Sequence, residues 1–271
     1  MSIFTYLKQA FASHIRSTYS YNIDKFKLQS GLIEFANWKN PMVPPKKITD
    51  DEIAFYQKFI PSGSFSIDIG ANVGDTTVPM GLAAGKDGLV LAFDPNPFVF
   101  DVLSVNAKLN KDKTNIVPVP FAVTETEGDF FYNSSEASFA NGGISTSEKN
   151  RNGKYGLRNK IKGINLRNYL NQNYAQYIDK LSFIKVDVEG HDIDVLRSIK
   201  PLIMKYKPAL VAECFLMSSS EERKALYDLV EGFGYELYYF EDFDINTSII
   251  KLSRNDMDRW PNFNFYATPL A

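Results

Sequence analysis

Cysteine and histidine are scarce in this chain of 271 residues, and their scarcity excludes several kinds of site. The single cysteine, Cys214, excludes an intrachain disulfide and a metal site built from several cysteines. Because it lies in an apolar run, we predict a small buried core residue. Two histidines leave little room for a histidine-rich metal centre, and the inventory favours a reducing, cytoplasmic location.

Long apolar runs and an excess of one charge are also missing. No segment is long and apolar enough to cross a bilayer, and the first residues lack the continuous apolar core of a signal peptide. Lys and Arg number 30 against 32 Asp and Glu, and this net charge of −2 argues against nucleic acid as a partner. The 44% hydrophobic and 23% charged content is that of an ordinary globular domain.

The proline-rich residues 40–45 separate an N-terminal helical extension, residues 1–48, from a main domain of residues 49–271. Within the extension, large apolar residues recur at near-helical spacing: Ile3, Phe4, Leu7, Phe11 and Ile15. We predict a helix that packs as a cap on the body or as a homo-oligomer contact. Association with a membrane surface stays open as the alternative.

Apolar runs alternate with helical patterns after this extension, which predicts an α/β fold with a mostly parallel sheet. Strands are predicted at residues 65–69, 89–93, 115–123, 181–186, 209–215, 235–240 and 262–267, the last two as an antiparallel pair at the far edge. Pro118 and Pro120 place the third strand at a sheet edge. A helix over residues 192–199 is predicted to end at Pro201. The polar residues 133–165 are predicted to form a flexible insertion, either a solvated loop or a lid.

The first candidate site is the turn after the first strand, where Gly70 and Gly74 allow backbone to approach a ligand at the start of a helix. Asp68 in the strand can attract a cationic or amine-bearing ligand. Asn72 and the Gly-x-x-x-Gly spacing do not match a dinucleotide fingerprint, and no Walker loop is present. The turn therefore suits a ligand with an amino-acid moiety better than a phosphate.

The second candidate is Asp94, which follows Gly70 by 24 positions at the end of the second strand. Adjacent parallel strands end at the same crevice, so Asp94 can accept both ribose hydroxyls of a nucleoside. Capping of the next helix is its alternative role.

The third candidate is a cluster of Asp187, Glu189 and His191 after the central strand. Asp187 or His191 can act as a general base and Glu189 can orient the substrate, whereas helix capping is the structural alternative. Glu213 ends the fifth strand, and with Asp187 it can bind a divalent cation or a substrate hydroxyl. Two carboxylates are not a specific metal signature, so metal dependence stays open.

Together these segments resemble the FkbM family of class I methyltransferases. The matching residues are 67–74, 90–97, 106–110, 120–123 and 183–190, in the family's order. The resemblance implies a Rossmann-like fold with a seven-stranded, mostly parallel sheet and an antiparallel edge strand. It also implies S-adenosylmethionine as cofactor and methyl transfer to an oxygen, often a hydroxyl of a sugar or polyketide.

By position, the resemblance implies that the acceptor faces Asp187, Glu189 and His191. The implied cofactor contacts are Asp68, Gly70, Ala71, Asn72, Gly74, Asp94, Pro95, Phe121, Ala122 and Asp187, with the methionine part at the turn, the ribose at Asp94 and the adenine near Phe121 and Ala122. The family's Leu-Asp-Asp element stands here as Leu166-Arg167-Asn168. Loss of both acids points to a different acceptor.

We therefore predict an O-methyltransferase that acts on a hydroxyl, preferably of a sugar in a glycan or glycoconjugate. The alternatives are a non-sugar small molecule or nucleic acid as acceptor, or a cofactor-binding protein without catalysis. The intact cluster from Asp187 to His191 argues against loss of catalysis.

Overall fold

The computed structural model describes residues 3–147 and 153–270. Its helices are α1 Ile3–His14, α2 Asp50–Gln57, α3 Thr77–Ala84, α4 Pro97–Leu109, α5 Leu166–Asn173, α6 Asp192–Ser198, α7 Lys200–Tyr206 and α8 Ser220–Glu231. Its strands are β1 Tyr21–Leu28, β2 Gly31–Trp38, β3 Phe65–Ile69, β4 Leu89–Phe93, β5 Ile116–Val119, β6 Ala122–Val123, β7 Gly128–Ser134, β8 Gly143–Ser145, β9 Tyr155–Gly156, β10 Ile161–Ile164, β11 Leu181–Val186, β12 Ala209–Cys214, β13 Tyr235–Phe240, β14 Ile249–Lys251 and β15 Phe263–Pro269. In these ranges no helix is long and apolar enough to span a membrane.

The main sheet has eight strands in the order β14-β13-β15-β12-β11-β3-β4-β5. The five strands from β12 to β5 are parallel, whereas β15 is antiparallel to both of its neighbours, β12 and β13. The predicted α/β class is confirmed, and so is the antiparallel pairing of the two late strands. The strand count differs, because β14 adds an eighth strand and is itself the antiparallel edge.

Strands β3 and β4 are neighbours in the parallel part of the sheet, between β11 and β5, and all ten of their residues are buried. Apolar clusters cover both faces of the sheet, so β4 is a continuous apolar run, whereas β3 also buries Ser66 and Asp68. Strand β5 pairs only with β4 among the described residues, as Pro118 predicts for an edge. Cys214 is buried in the core, as predicted.

The N-terminal extension is helical only in α1. Strands β1 and β2 form an antiparallel hairpin, and β2 buries Phe35 and Ala36 in the same core as α3 and α4. Asn106 on α4 ties the hairpin down, because its Oδ1 accepts from the Ala36 N–H at 2.6 Å and its Nδ2 donates to the Ala36 carbonyl at 3.2 Å. The predicted boundary at residue 48 is therefore not a break in packing.

The segment predicted as an insertion contributes strands to a second sheet. The order of this sheet is β6-β10-β7-β8, and β9 also pairs with β7. Phe139 is fully buried and stacks on Phe98 of α4 with 5.2 Å between ring centroids. The described part of this segment therefore packs against α4 of the main domain. Residues 148–152, which the prediction included, lie outside the described residues.

The helix predicted over residues 192–199 is confirmed as α6, but the prediction that Pro201 stops it was wrong. Helix α6 ends at Ser198, and a second helix, α7, begins at Lys200 with Pro201 in its first turn. Proline is tolerated there because the first N–H groups of a helix have no intrahelical acceptor. Pro201 thus marks the start of a helix.

Candidate active site

A cavity of about 410 Å³ opens at the carboxyl ends of β3, β4 and β11. Open parallel sheets bind ligands at this edge, and small-molecule sites typically measure about 300–1,000 Å³. Most of the predicted residues line it: Gly70, Asn72, Asp94, Pro95, Phe121, Ala122, Asp187, Glu189 and His191. The structure therefore brings the three candidate sites together in one cavity.

The turn after β3 is fixed between the ends of two neighbouring strands. The N–H groups of Gly70 and Ala71 both donate to the carbonyl of Phe93, at 2.9 and 3.0 Å. Gly70 has a φ of +81°, and a Cβ there would lie 1.8 Å from the carbonyl oxygen of Asp187. Only glycine allows this approach, so the turn brings bare backbone to the cavity wall.

Asp94 presents a buried carboxylate to the cavity. Its Oδ2 accepts from the N–H of Asn72 at 2.8 Å, and its Oδ1 accepts from the N–H of Asn96 at 2.9 Å. Burial raises the pKa of Asp94 to about 7, although these two N–H groups favour the ionised form. Asn96 rather than Asp94 caps α4, because its Oδ1 accepts from the N–H of Phe98 at 3.1 Å. The capping alternative for Asp94 is therefore wrong.

Asp68 lies behind the turn and does not line the cavity. It is fully buried, and its Oδ2 accepts from the hydroxyls of Thr76 and Thr77 at 2.9 and 2.6 Å. Its Oδ1 lies 3.5 Å from Nζ of Lys185. The predicted direct contact with a ligand is thus replaced by support of the turn and of the start of α3.

Three further predicted residues also lie outside the cavity wall. Ala71 is fully buried, and Gly74 packs against α4, where an added Cβ would lie 3.0 Å from Leu103. Glu213 stands behind Asp187, and its Oε1 accepts from Nδ2 of Asn262 at 2.9 Å. Burial and then the charge of Asp187 raise the pKa of Glu213 to about 7.

Lys185 is a site residue that the sequence reasoning missed. Its side chain is 2% exposed, and Nζ lies 3.2 Å from Oδ2 of Asp187 and 3.5 Å from Oδ1 of Asp68. Burial opposes the charged form, yet the two carboxylates raise the pKa of Lys185 above its ordinary value. A lysine in a strand that is buried on both faces needs such partners, and this was the available signal.

Glu189 and His191 stand at the mouth of the cavity. Glu189 adopts a left-handed backbone with a φ of +56°, a strained conformation that is common at functional sites. It is exposed towards the mouth but surrounded by protein behind, and this partial burial, with repulsion from Asp187, raises its pKa to about 7. Nδ1 of His191 lies 3.7 Å from Oδ2 of Asp194.

One wall of the cavity comes from a segment that the sequence reasoning left outside the site, and another comes from the segment predicted as a solvated loop or a lid. Residues Met42, Val43, Pro44 and Lys46, after the hairpin, line one side, and Lys46 pairs with Asp75 at 2.6 Å. Residues 140–144 line another side. Within the described ranges no group of three His, Cys, Asp or Glu side chains can hold a metal ion.

The donor set fits S-adenosylmethionine. The bare backbone at Gly70 leaves room beside the strand ends, Asp94 offers carboxylate oxygens for hydroxyl groups, and Phe121 adds an apolar wall. A mostly parallel sheet with such a cavity at its carboxyl edge is what a class I methyltransferase that depends on S-adenosylmethionine requires.

Comparison with known proteins places the chain within that class. The family model of the methyltransferase FkbM domain matches residues 68–237, and the chain belongs to this family. Hexuronic acid methyltransferase AglP of Haloferax volcanii is 28% identical over 132 residues, which cover 49% of this chain and 48% of that protein. Methyltransferase sdnD of Sordaria araneosa is 25% identical over 199 residues, which cover 66% of this chain and 76% of that protein.

Among solved structures, methyltransferase FkbM from Methylobacillus flagellatus aligns with a TM-score of 0.45 and 14% identity, over 79% of this chain and 50% of that one. The chain thus spans about half the length of the Haloferax relative and of this structure.

Proposed function

We propose that the protein transfers the methyl group of S-adenosylmethionine to a hydroxyl oxygen of a sugar. One observation carries the proposal: a single cavity is lined both by the buried carboxylate of Asp94 and by the cluster of Asp187, Glu189 and His191. The name of the Haloferax relative, a hexuronic acid methyltransferase, supports a sugar acceptor.

The cofactor end of the cavity is assigned to three groups. The turn at Gly70 and Asn72 would hold the methionine part, Asp94 would accept from the ribose hydroxyls, and Phe121 with Ala122 would border the adenine. When bound, the cofactor supplies an electrophilic methyl group on a sulfonium. The chain's own task is then to align the acceptor oxygen with that methyl group and to exclude water.

The acceptor end must orient a hydroxyl and take its proton. Lys185 holds the carboxylate of Asp187 in place, so Asp187 is suited to accept a hydrogen bond from the acceptor and fix its direction. A base works best when its pKa lies near the working pH, and the pKa of about 7 suits Glu189 to that role. His191 borders the same mouth and completes the acceptor wall.

The first experiment identifies the acceptor. The protein is incubated with methyl-labelled S-adenosylmethionine and panels of neutral sugars, uronic acids, small alcohols and RNA. Label is expected in a sugar as an alkali-stable methyl ether. Transfer to RNA alone, or to small alcohols alone, would contradict the sugar assignment.

The second experiment tests the proton acceptor. A base must be ionised to act, so wild-type kcat should rise with pH through about 7 and then level off. Glu189→Gln should lower kcat about 10²–10⁴-fold and remove that rise. Glu213→Gln is the matched control, because the pKa of Glu213 is also about 7 but the residue lies outside the cavity wall. An unchanged pH profile in Glu189→Gln would reject this assignment.

A further inference from the structure

Helix α1 presents large apolar side chains to solvent and buries the small side chain of Ala12 against the protein. Phe4, Leu7, Phe11 and Ile15 are 64, 59, 53 and 49% exposed, whereas Ala12 is fully buried. At 100° per residue the four large side chains fall on one face, with Ala12 to one side of it. This is the reverse of the usual arrangement for a helix on a globular body.

Contacts on the inner side hold α1 in this orientation. Nε2 of Gln9 donates to the carbonyl of Pro41 at 3.3 Å, and the carbonyl of Ser13 accepts from the N–H of Ala137 at 3.1 Å. Just beyond the helix, Arg16 donates to the carbonyl of Gly156 at 2.6 Å. The helix is therefore held on the body while one face, which consists of Phe4, Leu7, Phe11 and Ile15, stays exposed. We call this the exposed face of α1.

The N-terminal part of the chain, which includes α1, also carries an excess of positive charge. Residues 1–47 contain seven Lys or Arg against two Asp or Glu, and the first acidic residue is Asp24. The remainder of the chain contains 23 Lys or Arg against 30 Asp or Glu. Lys8 and Lys39 are exposed and border the groove beside Phe4, Leu7 and Phe11. The apolar face thus has a cationic rim on an otherwise acidic protein.

We propose that the exposed face of α1 docks on an anionic lipid surface. Aromatic and aliphatic side chains beside lysines are the groups that seat interfacial helices at the boundary of headgroups and acyl chains. A second copy would place the same cationic rim against its own, which opposes self-association. Nucleic acid binding calls for basic groups rather than an apolar face.

Co-sedimentation of the full chain with vesicles tests the proposal. One set contains phosphatidylcholine alone, and the other contains phosphatidylcholine and phosphatidylglycerol at a 7:3 ratio. Wild type should bind the anionic vesicles at least about tenfold more tightly, and added salt should weaken that binding. The combined substitutions Phe4→Ser, Leu7→Ser and Phe11→Ser should lower it by about tenfold or more.

Two further variants complete the test. Met204→Ser with Ile249→Ser removes apolar side chains of 42 and 43% exposure elsewhere and should bind as wild type does. Lys8→Glu with Lys39→Glu keeps the apolar face and should lose the preference for anionic vesicles. Equal binding of wild type and the triple serine variant would overturn the proposal. The proposal would also be overturned if light scattering showed that wild type is a dimer and that the triple serine variant is a monomer.

Discussion

Behind the cavity the chain buries charge, and on α1 it exposes large apolar side chains. Asp68 and Lys185 have side chains that are 0 and 2% exposed, whereas Phe4 is 64% exposed. Both regions depart from the ordinary distribution of polar and apolar groups, in opposite directions. The buried charges have partners inside the protein, since Lys185 lies between two carboxylates. The apolar side chains on the exposed face of α1, by contrast, are in contact with solvent.

This difference decides where a substitution is costly. Removal of one member of a buried ion pair leaves an uncompensated charge, which typically costs about 3–5 kcal/mol. Truncation of an exposed side chain usually changes the free energy of unfolding by less than about 0.5 kcal/mol. The cavity should therefore be sensitive in both stability and activity, and the exposed face of α1 in binding alone.

The largest effect is expected from Lys185→Met. Without the ammonium group, Asp68 stays buried with no cation beside it, so the free energy of unfolding should fall by about 3–5 kcal/mol in urea denaturation. Lys200→Met is the control, because Lys200 is exposed on α7, and it should stay within about 0.5 kcal/mol of wild type. The double variant Lys185→Met with Asp68→Asn should recover part of the loss. Equal stability of the single and double variants would show that the pair is not coupled.

Gly70→Ala should follow, with a loss of about 3–5 kcal/mol in the same measurement. Its Cβ would meet the carbonyl of Asp187 at 1.8 Å, in addition to the strain of a φ of +81°. Gly63→Ala is a matched control, because Gly63 has a φ of +79° but no atom within 4 Å of the added Cβ. That variant should lose only about 1 kcal/mol. Similar losses in both variants would mean that backbone strain, and not the close approach, governs the turn.

Much of the cofactor end was predictable from sequence because its residues are local to strand ends. Strands β3, β4 and β11 are rich in apolar residues, and the residues that follow them, Gly70, Asp94 and Asp187, must meet at one sheet edge. Their spacing alone located the cavity. The same reasoning misplaced Asp68, because it did not determine on which side of the turn the carboxylate lies.

The walls of the cavity were not predictable in the same way. Lys46 and residues 140–144 reach it through tertiary packing of the hairpin and of the second sheet, for which local patterns give no distance. The hairpin itself carried a signal, since Ser30-Gly31 is a turn dipeptide between two runs of strand-like residues. The apolar spacing of α1 predicted the helix but not its orientation, because a pattern does not state which face meets the protein.

Asp94→Asn should have a smaller effect, measured here on cofactor binding. An amide in place of the carboxylate should weaken binding of S-adenosylhomocysteine about 10–100-fold by calorimetry, since a hydrogen bond to a charged group contributes about 1.5–3 kcal/mol. The pKa of Asp94 is raised to about 7, so the acceptor form increases as pH rises. Wild-type affinity should therefore rise through about pH 7 and level off above it. The variant should show no such rise, and Asp101→Asn, on the exposed side of α4, should match wild type.

The smallest effect is expected on α1, where neighbouring residues give opposite results. Phe11 is 53% exposed and serine has a similar helix propensity, so Phe11→Ser should change the opening free energy of α1 by less than about 0.5 kcal/mol in amide hydrogen exchange. Ala12 is fully buried, and Ala12→Phe should cost about 1–3 kcal/mol because the inner face has no room. Faster exchange in Phe11→Ser than in Ala12→Phe would reverse the assigned faces. The apolar face would then be a packing surface, and the contrast with the cavity would fail.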